Sequence, residues 1–420
     1  MRDILKEIWT TITHNRLRTV LTGFSVAWGI FILIVLLGAG NGLINGVMGN
    51  RQKVLTNSMT IYGGQTSIAH DGLGMGRSIE LNDKDLEITK QGFTANIDDV
   101  GAEIKKSGQT LAYTDNYMTG VNVNGVFPND EVINKREMLC GRFLNKLDMS
   151  QRRKTIVVSE GIAKELMPKA PLNLNGRTVM AGNIAFTVVG IYDNDKSRMG
   201  NDAFIPFTTF RTIYNSGDKT GDIVFSFHGL KTEDDNTHFE NDYRARINRI
   251  HRADPTDENS IWIWNRFTQD MQMNMATGMI STALWVVGIL TLLSGIVGVS
   301  NIMLITVRER THEFGIRKAI GAKPWSILRL IIIESVAITT FFGYIGMVLG
   351  IAATQYMDAT IGQTKVDNGL FSANIFINPT VSIGICVQAT ILMIIAGTIA
   401  GLIPARKAAK IRPIEALRAE

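Results

Sequence analysis

The sequence predicts an α-helical membrane protein with four transmembrane helices and a two-lobed α+β extracytoplasmic domain between the first and second. Three observations predict this. Apolar residues gather in four long runs, at about 20–40, 279–306, 325–354 and 375–403. Each is long enough to cross roughly 30 Å of hydrocarbon. Residues 54–265, between the first two runs, are ordinary polar sequence. Finally, Lys and Arg crowd beside the runs, as they do in the cytoplasmic loops of membrane proteins.

Taken in order, residues 1–18 form an N-terminal amphipathic helix at the cytoplasmic interface. Ile4, Leu5, Ile8, Trp9 and Ile12 recur at helical spacing on one face. A basic start, an apolar run and Gly38-Ala39-Gly40 imitate a signal peptide. The amphipathic segment and the spanning length favour an uncleaved helix instead, so residues 19–53 are assigned to the first span and a stalk extension. In the insert, residues 58–62, 109–113, 118–123, 155–159, 184–192, 201–206, 222–227 and 261–264 read as strands. Helical stretches are expected from Asn82-Asp83 onward, where Asn82 is a cap, and at 160–167 and 236–250. A second lobe is expected at about 126–210, threaded into a βαβ-type lobe. The string Asp71-Gly72-Leu73-Gly74-Met75-Gly76 has the glycines of a phosphate loop but no helix pattern directly after it, and is read as a mobile loop.

Residues 266–306 are assigned to a stalk and the second span, 307–324 to a cytoplasmic helix, and 325–354 to the third span. An outer loop at 355–374, the fourth span at 375–403 and a cytoplasmic tail at 404–420 complete the chain. Orientation follows the basic residues. Arg16 and Arg18 precede the first span; Arg308, Arg310, Arg317, Lys318 and Lys323 separate the second and third; Arg406, Lys407 and Lys410 follow the fourth. The loop between the third and fourth carries only Lys365. Both termini are therefore expected in the cytoplasm and the insert outside. Gly346 with Gly350, and Gly397 with Gly401, are small-xxx-small pairs suited to close helix packing, within one chain or across a dimer seam. Glu334 lies inside the third apolar run, where a carboxylate is costly; it either has a function or pairs with Arg329 or another basic neighbour.

The chemistry is as informative in what it lacks. There is no Gly-Lys dipeptide, hence no Walker A loop. No His-Glu-x-x-His, no paired CxxC and no Gly-x-Ser-x-Gly elbow occurs. The two cysteines, Cys140 and Cys386, fall in the insert and the fourth apolar run, too far apart in character to pair. A net charge of +5 sits with the membrane-flanking residues, so nucleic acid is not an expected partner. No catalytic residue, cofactor or metal is assigned to this chain.

Between the second and third spans runs Arg308-Glu309-Arg310-Thr311-His312-Glu313-Phe314-Gly315-Ile316-Arg317-Lys318-Ala319-Ile320-Gly321-Ala322. Anchoring at headgroups needs only a few cations, and the glutamates do not help it. Mixed charges around Phe314, Ile316 and Ile320 suit docking to a protein, with a charged rim and a small apolar centre. His312 reads as a helix-surface residue.

This stretch resembles the signature of MacB-type, FtsX-like permeases of ABC transporters. Further stretches are similar: Asn15 to Thr22; Gly141-Arg142-Phe143 with Ile156-Val157-Val158, Asn175-Gly176-Arg177 and Phe186 to Ile191; Pro404 to Ala409; and Arg412 to Arg418. The resemblance implies a non-catalytic permease subunit in the bacterial inner membrane that works as a dimer, with a second copy or a paralogue. It implies an ABC ATPase, holding ATP and Mg, docked on Arg308, Glu309, Arg310, Glu313, Phe314, Gly315, Arg317, Lys318, Gly321 and Ala322. Because Met1 opens onto the amphipathic segment, the ATPase is expected on a separate polypeptide. ATP hydrolysis would be relayed to the outer domain by mechanotransmission, driving export of drugs, peptides or lipoproteins, with a membrane-fusion protein and an outer-membrane channel as further partners. The alternative is ATP-driven regulation of a cell-wall hydrolase.

Overall fold

The computed structural model describes residues 16–49, 54–193, 201–361, 366–367, 372–373 and 376–410. Residues 1–15 of the amphipathic helix expected at 1–18, and the tail beyond Lys410, lie outside them. Two units emerge, one of helices and one built on a β-sheet.

The helical unit contains α1 (Arg16–Gly49), the part of α8 (Arg266–Glu309) from Met275 on, a short α9 (Thr311–Ala319), α10 (Pro324–Thr360) and α11 (Ile383–Lys410). Four of these are long and apolar enough to cross a membrane. In lipid, helices gain little from hiding apolar surface, so close van der Waals packing decides their association. The glycine pairs supply it here within one chain. A methyl group at Gly346 would run into the Ala27 carbonyl of α1, and one at Gly350 would lie 2.8 Å from Ile34. Gly397 on α11 faces Thr339 of α10 in the same way, and Gly401 faces Ser335. The Ser335 hydroxyl donates to the Gly397 carbonyl across that seam at 2.8 Å. Ile30, Leu33, Ile34, Val299, Met347 and Met393 fill the interior, while Phe24, Leu290, Phe341 and Ile391 face outward.

The fourth helix starts at Ile383, later than the apolar run suggested. Pro379 cannot donate to a helix ladder, and Asn378 before it has φ +47°. Residues 377–380 are instead tied to α1. Ile377 N–H donates to the Gly42 carbonyl, and the Asn41 and Asn45 amides donate to the Thr380 and Asn378 carbonyls. At its other end α11 continues through Pro404 to Lys410, past the expected close of the span at 403.

The second unit is built on a ten-stranded mixed sheet: β1 (Ser58–Gly63), β2 (Ile97–Tyr113), β3 (Asn116–Val126), β4 (Met138–Gly141), β5 (Thr155–Ser159), β6 (Thr178–Ala181), β7 (Ile184–Tyr192), β8 (Asp202–Pro206), β9 (Asp222–Phe227) and β10 (Ile261–Asn265). The order is β10-β1-β9-β2-β3-β8-β5-β7-β4, with β6 between β2 and β7 at one end. The pairs β3–β8 and β5–β7 are parallel. Six further α-helices flank the strands or connect them, α2 (Asp83–Gly92), α3 (Asp130–Ile133), α4 (Lys146–Ser150), α5 (Glu160–Leu166), α6 (Phe207–Tyr214) and α7 (Glu233–Ile250), together with the first turns of α8. Capping boxes start three of them, built by Asn82 with Asp85, Asn145 with Asp148, and Thr232 with Asp235.

Two main cores result. One joins Met59, Ile61, Phe93, Phe225, Phe239 and Tyr243 beneath α2 and α7. The other joins Leu111, Val121, Val123, Ile156, Val158, Phe186 and Val188 beneath α5. The second core reaches back to Leu111, so its lobe starts inside β2 and not near 126. The long β2 serves both cores, with bulges between Lys106 and Leu111 where it passes from one to the other.

The glycine string at 71–76, expected as a mobile loop, lies between residues that are tied to the 251–257 segment. Asp257 accepts from the Ser67 N–H and hydroxyl and from the Ile68 N–H. Arg77 donates to the His251 and Arg252 carbonyls, and Arg252 pairs with Asp71 at 2.7 Å. The next helix after the string begins only at Asp83, so the string lacks the helix N-terminus of a phosphate loop.

Candidate functional site

The charged stretch folds into α9 by a near-continuation of α8. Arg310 turns the corner with φ −91°, ψ 13° and no side-chain cap. Its N–H still donates to the Thr306 carbonyl, and its own carbonyl accepts from Phe314 N–H. At the far end, Ala322 N–H donates to the Arg317 carbonyl and Gly321 N–H to the Lys318 carbonyl. This is a Schellman stop, and it needs the left-handed residue that Gly321 supplies at φ +101°. Pro324 then opens α10 at a position where its missing N–H costs nothing.

The helix has two faces. Phe314 is 1 % exposed and packs into the interior of the helical unit with Val307, Ile327, Ile331, Ala405 and Ala408; Gly315 is buried beside it. Arg310, its side chain only 14 % exposed, pairs with Glu313 at 3.0 Å and with Glu334 at 3.3 Å. Its guanidinium also lies 5.4 Å from the centre of the Phe314 ring. Glu334 is thus paired with Arg310 and not Arg329. A buried carboxylate requires such a partner. Lys318 also turns inward, donating to the Ala409 carbonyl at 2.5 Å. That carbonyl lies in the last turn of α11, where helix carbonyls lack helical partners.

The opposite face is presented outward. His312, Glu313, Ile316, Ala319 and Ile320 are all exposed, at i, i+1, i+4, i+7 and i+8. Ile320 is 82 % exposed, unusual for an isoleucine. Arg308 and Glu309 are exposed at the end of α8.

The ten residues expected to dock a partner therefore separate. Arg308, Glu309 and Glu313 are accessible, and Arg317 is half-buried. Arg310 and Lys318 hold α9 to its own unit. Phe314 and Gly315 are buried, whereas Ile316 and Ile320 are the exposed apolar residues of α9. Gly321 and Ala322 end the helix. The exposed His312 and Ala319 were missing from the expected set. The signal for them was the helical period itself, since 312, 316, 319 and 320 fall on the face opposite Phe314. Among the described residues, no cluster of His, Cys, Asp or Glu could hold a metal ion, and both cysteines are free.

Two family models match the chain. A MacB-like periplasmic core domain matches residues 19–240, and an FtsX-like permease C-terminal domain matches residues 285–413, which include α9. An uncharacterized ABC transporter permease of Bacillus subtilis, YknZ, is 26 % identical, over 98 % of this chain and 97 % of that protein. The macrolide export ATP-binding/permease protein MacB of Campylobacter jejuni is 29 % identical over all of this chain but only 62 % of that protein. The chain thus spans about three fifths of the length of such macrolide exporters. Among solved structures, the periplasmic region of MacB from Actinobacillus actinomycetemcomitans is similar at TM-score 0.43 and 20 % identity, over 54 % of this chain and 97 % of that one.

Proposed function

This chain belongs to the MacB-like, FtsX-like family of ABC transporter permeases, and on that premise we propose that it is driven by an ATPase docked on the outward face of α9. The observation that carries the reading is the two-sidedness of α9. Its inner face is locked into the helical unit by Phe314 and by the Arg310–Glu334 pair, while its outer face offers Glu313, Ile316 and Ile320. A partner pushing on a helix so anchored moves the spans and not only a loop. The unbroken α8 supports transmission, since its 44 residues extend about 66 Å at about 1.5 Å per residue.

In this reading ATP and magnesium are bound by the partner, on a separate polypeptide. The permease pairs with a second copy or a paralogue. The work reaches the extracytoplasmic unit and expels a substrate already outside the bilayer: a drug, as the macrolide-export relatives' names suggest, a peptide or a lipoprotein. The basic residues around α9 and the end of α11 support placing both termini on the cytoplasmic side.

The test is reconstitution of the chain with its ATPase. Ile320→Asp combined with Glu313→Lys is expected to weaken the complex at least tenfold and to abolish stimulated ATP hydrolysis, because a few central apolar anchors carry most docking energy and reversal of a neighbouring charge sets like charges against the partner. Survival of both complex and stimulation would refute docking on this face. Phe314→Ala is unsuitable as a probe, since it opens a cavity in the permease itself.

A further inference from the structure

A cleft of about 390 Å³ opens in the extracytoplasmic unit between α2 and β2 on one side and α4 and α6 on the other. It is large enough for a small ligand, and the chemistry of its lining is selective. Phe127 and Met149 supply an apolar surface. Lys90 and Lys146 place two ammonium groups around it against the single carboxylate of Asp99. The Lys90 ammonium stands 5.2 Å over the Phe127 ring. In the floor, the Asn129 amide nitrogen is buried without a hydrogen-bond partner among the described residues. Gly101 admits it there, because a methyl group at that position would run into the Asn129 side chain. A buried donor left unpaired costs free energy, which an acceptor on a ligand would recover.

We infer that this cleft binds an amphipathic anion, a carboxylate or phosphate head on an acyl or aromatic body. The head lies between Lys90 and Lys146 and accepts from Asn129, while the body covers Phe127 and Met149. A cation is disfavoured by the excess positive charge of the two lysines over Asp99. Met149 is suited to bodies of varied shape, because its thioether side chain adapts to irregular surfaces. The inference rests on the export reading only for its meaning, since such an amphiphile would be cargo or a cargo mimic; binding itself requires no ATPase.

The test therefore uses the full chain in lipid nanodiscs with no ATPase present. Decanoate and decyl phosphate carrying a diazirine near the head are photo-crosslinked, and adducts are mapped by mass spectrometry. Adducts are expected on the peptides bearing Phe127 or Met149. They should be competed by unlabelled decanoate or decyl phosphate at concentrations at least tenfold below those of decanol. The stronger of the two competitors assigns the head as carboxylate or phosphate. Lys90→Glu with Lys146→Glu should cut the adducts at least tenfold, and Lys90→Gln with Lys146→Gln should act in the same direction. Both lysines are exposed, so the melting temperature is expected to hold. Asn129→Asp, which points a carboxylate at the head, should also reduce labelling. Adducts elsewhere, indifference to the lysine changes, or equal competition by decanol would overturn the inference. A failure of ATPase docking would leave these results untouched.

Discussion

Glu103 on β2 stands opposite Asp222 on β9 in the antiparallel register. Burial, then the nearby Asp130, pushes the Glu103 carboxyl up to about 7 against the pull of Arg136, with Asp222 and Asp202 adding to the rise. Burial pushes Asp222 up to about 6 despite Lys105. The same carboxylates, after burial, raise the neighbouring Tyr62 hydroxyl. A carboxyl whose folded pKa is raised holds its proton in the native state while the unfolded chain has released it. The stability these two groups contribute is therefore fullest at acid pH, falls as pH rises from about 4 towards 7, and is flat above that. The loss should be on the order of 1–2 kcal/mol after allowance for solvent around these half-buried groups. We predict that Glu103→Gln with Asp222→Asn removes this slope. Urea unfolding of the β-sheet unit, followed by Trp262 and Trp264 fluorescence, would measure it at about pH 5.5 and 7.5. A wild-type protein as stable at the higher pH as at the lower would refute the assignment. None of this was legible in sequence: Glu103 and Asp222 meet only through the β2–β9 pairing.

At the scale of elements, legibility depended on whether the signal was local. The capped helix α2 was readable because a cap and its helix are neighbours in sequence; α7 was expected only from 236 on, and its cap Thr232 was missed. The strands β5, β7, β8 and β9 were readable because short apolar runs were bounded by turns. The first part of β2 was not, because Asp98, Asp99, Glu103, Lys105, Lys106 and Gly108 hide its alternation. The α9 helix was found, but the distribution of its faces depends on Phe314 reaching α10 and α11, which no local pattern reveals. The glycine pairs were found with two readings open, and the packing of Gly346 and Gly350 on α1 resolves them in favour of in-chain contact. This leads to a prediction about the α1–α10 seam. Gly346→Leu presses a side chain into the Ala27 backbone, which cannot step aside as a flexible side chain would. Overpacking of this kind should cost on the order of 3 kcal/mol and lower the detergent melting temperature clearly. Gly278→Leu, at a position open on all sides, should change it little. Equal melting of the two variants would mean that the seam does not hold the helices together.

At the scale of the whole molecule, the number of spans and the existence of a large insert were legible, because hydrocarbon thickness imposes a length that composition alone can meet. The order of the ten strands was not, since it follows from pairings between residues far apart in the chain. Sidedness stands between these two cases. The α9 segment gathers Arg308, Arg310, Arg317 and Lys318, and α11 ends in Arg406, Lys407 and Lys410. We propose from the positive-inside rule that both lie on the cytoplasmic side; one passage of the second span would then put the β-sheet unit on the other. Glu258 is exposed on that unit, and Lys323 is exposed just after α9, so each can carry a single reporter thiol once Cys140 and Cys386 are replaced by Ser. An impermeant maleimide applied to intact cells, with the outer membrane opened where one is present, should label Glu258→Cys fully. It should reach Lys323→Cys only after the inner membrane is permeabilised, with at least a tenfold difference before and after. The reverse pattern would invert the topology and, with it, remove α9 from reach of any cytoplasmic ATPase. Labelling of both positions in intact cells would show instead that they share a side, which a single passage of the second span cannot allow.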